Sequence, residues 1–158
     1  MRAQESIRAV LYRCCRALDR ADPELLATVY HPDATEVHGD YSGAAAGFRE
    51  RALRNVERRF EVMRHSLGTI IIELVGDTAY SEAYFVASCV LRERSDGQKM
   101  LTELHGRYLD VFEVRDGEWR IASRVVVKDF RDVRAITDPV ENYPLAQWGP
   151  ADPSYLRN

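Results

Sequence analysis

The hydrophobic pattern changes period near the middle of the chain. Up to about residue 62 the apolar positions recur every three or four residues. Beyond about residue 66 they come in β-branched and aromatic runs separated by turn dipeptides. Ile7, Val10, Leu11, Cys14 and Leu18 fall on one face of a helix predicted over about 3 to 18. Asp22-Pro23-Glu24 then supplies a cap, a proline at the first helical position and an acidic first turn. The short helix that follows carries Leu25, Leu26, Val29 and Tyr30, and is expected to stop near His31-Pro32, where proline disfavours helical geometry before it. Phe48, Ala52, Val56, Phe60 and Met63 make the stripe of a third helix over about 45 to 62. Gly76-Asp77, Asp96-Gly97 and Asp116-Gly117 mark three turns and divide the second half into strands at about 66–75, 78–92, 100–114 and 118–129.

Consecutive hairpins predict an antiparallel meander, and strands of this length are expected to curl. The predicted class is therefore α+β, with N-terminal helices packed on a strongly curved antiparallel sheet. Helices over the concave side would enclose an apolar cavity for a small molecule. The segment 138–158, with Pro139, Pro144, Pro150 and Pro153, reads as an ordered arm without regular structure that packs on a neighbouring subunit.

Composition narrows the function classes. A chain of 158 residues suits one domain, 1–158. A net charge of −3 gives no basic footprint for nucleic acid. No apolar run approaches a membrane span, and MRAQESIRAV lacks the apolar core of a secretory signal. Three cysteines, Cys14, Cys15 and Cys89, two of them adjacent, fit a reducing cytoplasm better than a disulfide framework.

Three residues stand out chemically. Asp19 lies at the end of the first helix, either as a catalytic carboxylate or as an ordinary cap. His65 starts the first long strand and could transfer a proton near neutral pH, most effectively if a carboxylate held its other nitrogen. Arg124 interrupts the last strand on the face of Ala122 and Val126, so it is either at an edge or aimed at an anion. Tyr30, His38, Tyr41, Tyr84, His105 and Tyr108 could line a cavity or be half-buried sheet residues. His31, His38, His65 and His105 show no metal-ligand spacing, so no metal is expected. GxGxxG, GxxxxGK[ST] and GxSxG are absent, and Cys14 sits on the core face of its helix as a small hydrophobe. An enzyme built this way works without a cofactor.

Leu11 to Asp22, Tyr30-His31-Pro32-Asp33-Ala34-Thr35 and Val37-His38-Gly39 resemble the opening of SnoaL-like proteins. Gly106-Arg107-Tyr108-Leu109-Asp110, Arg115 to Arg124 and Asp152-Pro153-Ser154-Tyr155 extend the resemblance over nearly the whole chain. It implies the cone-shaped α+β barrel of the nuclear-transport-factor-2-like superfamily. Within that superfamily the chain resembles scytalone dehydratase, hexachlorocyclohexane dehydrochlorinase and bile acid 7-alpha-dehydratase, enzymes of aromatic-compound and steroid catabolism. The resemblance implies a cofactor-independent lyase in which His65 removes a proton, Asp19 orients it and Arg124 assists near the developing negative charge. The substrate would be a small apolar cyclic or aromatic molecule met by Tyr30, His38, Tyr84 and His105. Carbon–carbon cleavage, a cofactor-free isomerase and a non-catalytic binding or accessory protein are the alternatives. Many relatives carry a tyrosine where this chain has Cys14, so the proton donor would be Tyr30, His38 or a water. A homo-oligomer is implied, a trimer before a dimer.

Overall fold

The computed structural model describes residues 3–92, 97–137 and 143–155. Helix α1 (Ala3–Asp19) is amphipathic and buries Ile7, Val10, Leu11, Cys14 and Leu18 against the sheet, where it packs on β3 and β6. Helix α2 (Pro23–Ala27) is capped by Asp22, whose carboxylate accepts from the Leu25 amide at 2.9 Å. Helix α3 (Ala45–Arg59) is followed directly by β3 (Phe60–Val75), then β4 (Thr78–Leu91), β5 (Met100–Arg115) and β6 (Glu118–Ala135). Two strands precede α3, β1 (Tyr30–His38) and β2 (Tyr41–Ala44).

The four long strands pair as consecutive antiparallel hairpins. Gly76, Asp116 and Gly117 adopt the positive φ that the predicted turns require. Residues 93–96, including the Asp96 of the predicted middle turn, lie outside the described residues.

The sheet differs from expectation in three respects. It is mixed, because β1 runs parallel to β6, with Thr35 opposite Ser123 and His38 opposite Val126. It is open, in the order β2-β1-β6-β5-β4-β3, so β2 and β3 form two edges and no barrel closes. Nor is it strongly curled. The ladders of the long strands are interrupted locally, at register shifts near residues 61, 68–69, 122 and 129. The short second helix also ends earlier than predicted, at Ala27, and Tyr30 to His38 is extended.

The core lies between α1 and the inner sheet face, with Phe85, Tyr108, Phe112 and Ile121 under the helix. Gly106 is required there: a Cβ would stand 2.2 Å from the Val127 carbonyl oxygen and 3.2 Å from the Phe85 ring. Among the described residues no helix is long and apolar enough to cross a membrane.

Candidate active site

The end of α1 sets the first element of the site. The Asp22 amide donates to the Ala17 carbonyl at 2.8 Å and the Ala21 amide to that of Leu18 at 3.2 Å, while Ala21 takes φ 49°. This is a left-handed helix stop, here without glycine. It fixes Asp19 in the last turn, beside the start of β3. His65 Nδ1 lies 2.6 Å from Asp19 Oδ1, and the His65 backbone amide donates to both carboxylate oxygens at 3.0 Å. Only 7% of the His65 side chain and 14% of the Asp19 side chain is exposed. A carboxylate can only accept, so in the neutral imidazole this contact favours the tautomer with the proton on Nδ1 and the lone pair on Nε2. The amide bonds offset the cost of a carboxylate at the negative end of a helix dipole.

His65 opens onto a cavity of about 450 Å³ beneath α3. Apolar walls come from Leu18, Phe48, Val56, Met63, Phe85, Ala87 and Leu104. Of the sequence-predicted residues, His38, Tyr41 and Tyr108 also line it. His38 stacks on Phe48 with ring centroids 4.6 Å apart, and its Nδ1 is 3.3 Å from Glu36 Oε1. Glu36 is 1% exposed, and its second oxygen has no hydrogen-bond partner among the described residues. The site thus has two carboxylate–imidazole pairs on one cavity.

Arg124 joins neither pair. Its Nε and Nη2 donate to the two Asp110 oxygens at 2.6 and 2.8 Å, and its Nη1 lies 3.1 Å from Cys14 Sγ and 3.5 Å from the Tyr30 hydroxyl. The guanidinium sits 4.0 Å from the Tyr108 ring centroid, and Tyr108 stacks on Phe85 at 4.1 Å. A rank of Arg124, Tyr108 and Phe85 therefore leads towards His65, whose ring is 6.3 Å from that of Phe85. Burial works most strongly against the Arg124 charge, but Asp110, Tyr30 and Cys14 together outweigh it and hold the guanidinium pKa well above its usual value. The structure does not bring Asp19, His65 and Arg124 together as a triad.

The remaining candidates divide clearly. Tyr30 is buried beside Arg124 and does not line the cavity; burial pushes its phenol well up, as it does for Tyr108. Tyr84 is 43% exposed with Arg107 over its ring, and His105 stacks on Phe130; neither lines the cavity. His31 bonds the Glu113 carbonyl at 3.0 Å. Burial raises the Cys14 thiol and pushes Cys89 up to about 12, so neither is a thiolate near neutral pH. Sequence reading did not find Glu36, Asp110, Lys128 or Arg131, the last two of which line the cavity. Among the described residues no three His, Cys, Asp or Glu side chains cluster as metal ligands.

The predicted arm packs on its own chain. Ala146, Gln147 and Trp148 lie against Asp19, Arg20 and the start of β3. Asp152, 3% exposed, accepts from the Gln147 and Ser154 amides at 3.0 Å and lies 3.3 Å from Arg20, while Tyr155 donates to Asp22 at 2.6 Å. Residues 138–142 and 156–158 lie outside the described residues.

Solved structures share this architecture. A candidate scytalone dehydratase from Novosphingobium aromaticivorans DSM 12444 superposes with a TM-score of 0.72 at 19% identity, over 89% of this chain and 95% of that one. A hexachlorocyclohexane dehydrochlorinase from Novosphingobium barchaimii LL02 gives 0.71 at 16% identity, over 90% and 95%. A protein of unknown function from Mycobacterium tuberculosis gives 0.66 at 25% identity, over 78% and 70%. No curated protein matches the chain. Residues 1–125 match the family model described as SnoaL-like domain, which takes in both pairs and Arg124, and the chain belongs to that family within the nuclear-transport-factor-2-like superfamily.

Proposed function

We propose that this protein is a cofactor-independent lyase acting on a cyclic or aromatic molecule with oxygen substituents. The observation that carries the reading is the 2.6 Å contact between Asp19 and His65 at the wall of the apolar cavity. His65 Nε2 removes a proton from a carbon of the substrate. Asp19 orients the ring and offsets the charge of the imidazolium that forms. His38 is the proton donor to the leaving group, since it lines the same cavity whereas Tyr30 does not, and Glu36 orients it. Arg124, saturated by Asp110 behind the Tyr108 ring, positions that ring and does not touch substrate. General acid and base contribute about 10²–10⁴-fold each, and positioning and electrostatics in the cavity supply the rest.

The chain acts as one domain in a homo-oligomer, with a trimer favoured by its resemblances. The exposed Tyr80, Tyr84, Leu109, Val125 and Phe130 support burial against other copies.

The test combines NMR with turnover. The Nδ1-bound proton of His65 is expected as a downfield resonance that disappears in Asp19→Asn. Screening phenolic and steroid-like hydroxy ketones should yield an elimination product with wild type and none with His65→Ala. Undiminished elimination in His65→Ala rejects the reading, and a product of unchanged mass replaces it with isomerisation.

A further inference from the structure

Four cations line the cavity, Arg51, Arg59, Lys128 and Arg131, against one acidic residue, Asp40. Asp40 is already engaged: both its oxygens accept from Arg51 Nη2, at 2.7 and 2.9 Å. Arg131 donates to the neutral Thr102 hydroxyl at 2.8 Å, and Arg59 lies over the Phe60 ring. Neither these two nor Lys128 has a carboxylate partner among the described residues. This runs against the composition, which has 25 acidic and 22 basic residues. It also contrasts with four other arginines of the sheet. Arg107 pairs with Glu82 and Asp129, Arg115 with Asp33 and Glu113, Arg120 with Glu118, and Arg134 with Glu103 and Asp132.

The placement of two of these cations depends on one extra residue. Strict alternation would put Lys128 and Arg131 on opposite faces. The register shift at Asp129 sets Lys128 opposite Gly106 and Arg131 opposite Leu104, so both point into the cavity while Phe130 pairs with His105 outside.

From this juxtaposition we propose that the ligand is an organic anion: an apolar ring system bearing an oxyanion such as a carboxylate, with the rings against Phe48, Phe85 and Leu104 and the negative group held by Lys128 and Arg131. The inference rests on the cavity being the ligand site, as in the function proposed above, but not on proton abstraction there. It makes the ligand amphipathic. It also gives a direction: the charged end lies at the β6 rim and the apolar end towards Leu18 and Met63, beside His65.

Two dyes of one skeleton test it with the full-length protein: 8-anilinonaphthalene-1-sulfonate and its neutral parent N-phenyl-1-naphthylamine, titrated by fluorescence. The sulfonate is expected to bind about tenfold or more tighter at low salt, as for one charge-assisted contact. About 1 M salt, where the screening length is about 3 Å, should abolish the difference. Lys128→Met/Arg131→Met should remove the preference while leaving the neutral dye unchanged, and Leu104→Trp, which fills the cavity, should weaken both dyes. Equal affinities in wild type overturn the inference, and so does failure of the sulfonate to bind at all. A preference that survives the double substitution or high salt overturns it too, as does binding unaffected by Leu104→Trp. The readout is equilibrium binding, so loss of the elimination reading with the preference intact leaves the inference standing, and the converse holds equally.

Discussion

Replacing Arg124 with methionine keeps most of the side-chain volume and removes the charge. It leaves Asp110, whose side chain is 0% exposed, without a cation. Two charge-assisted hydrogen bonds of 2.6 and 2.8 Å are lost, together with the contact over Tyr108. Removing one partner of a buried pair costs about 3–5 kcal/mol, and the full burial of Asp110 places Arg124→Met within that range. Removing both charges in Arg124→Met/Asp110→Leu should recover about half of that loss or more, the remainder coming from the lost contacts to Tyr108 and Tyr30.

The pH dependence has a definite sign. Burial pushes the Asp110 carboxyl up and Arg124 restrains it, so losing Arg124 raises it further. A carboxyl raised in the folded state penalises folding as pH rises past its unfolded value near about 4. Arg124→Met should therefore be closer to wild type in stability at pH 5 than at pH 7. Urea unfolding followed by circular dichroism, with unchanged m, reads both quantities. A loss below about 1 kcal/mol, or a double variant as costly as the sum of the singles, would refute the view that Arg124 is held by Asp110 as a structural pair.

Ala21 carries φ 49° at the helix stop, so Ala21→Gly should raise stability by about 1 kcal/mol in the same assay; no gain would deny strain there. Burial works to raise the Asp152 pKa, but bonds from Ser154 and the Gln147 amide, with Arg20 nearby, bring it down to about 2. Its contribution is full above about pH 4 and is lost as pH falls towards 2. Asp152→Asn at pH 7 should partly mimic that loss and expose Trp148, seen as a red shift of emission in a Trp119→Phe background; unshifted emission would mean the arm does not depend on Asp152.

What the sequence disclosed follows from periodicity. The buried face of α1 and the turns at residues 76–77 and 116–117 announce themselves, because each matches one period or one backbone demand. Strand β1 does not. There Glu36 is buried and its neighbour Val37 exposed, the reverse of the usual alternation, and β2 has four residues. The parallel pairing that makes the sheet mixed was hidden with them. The dyad was legible through resemblance, since no local rule brings a helix end to a strand start 46 residues away. The role of Arg124 was obscured by one residue. Counting outward from the turn at Asp116-Gly117 places Asp110 opposite Ser123, and the shift at Ala122 moves it to Arg124. Lys128 and Arg131 escaped for the same reason at Asp129.

The arm also bears on the order in which the molecule assembles. Tyr155 and Asp22 meet across 133 residues, whereas the four long strands pair as adjacent hairpins. Contacts that close long loops form late and their closure entropy is met only once the intervening structure exists. Helix α1 and the hairpins can therefore find one another before Ala146 to Trp148 settle beside Asp19. Folding would pass through a stage in which the carboxylate is placed but still wet. Amide exchange at residues 147 and 154 should then be faster than in β4 and β5, marking the enclosure of the dyad as the last step of folding and the first to be undone.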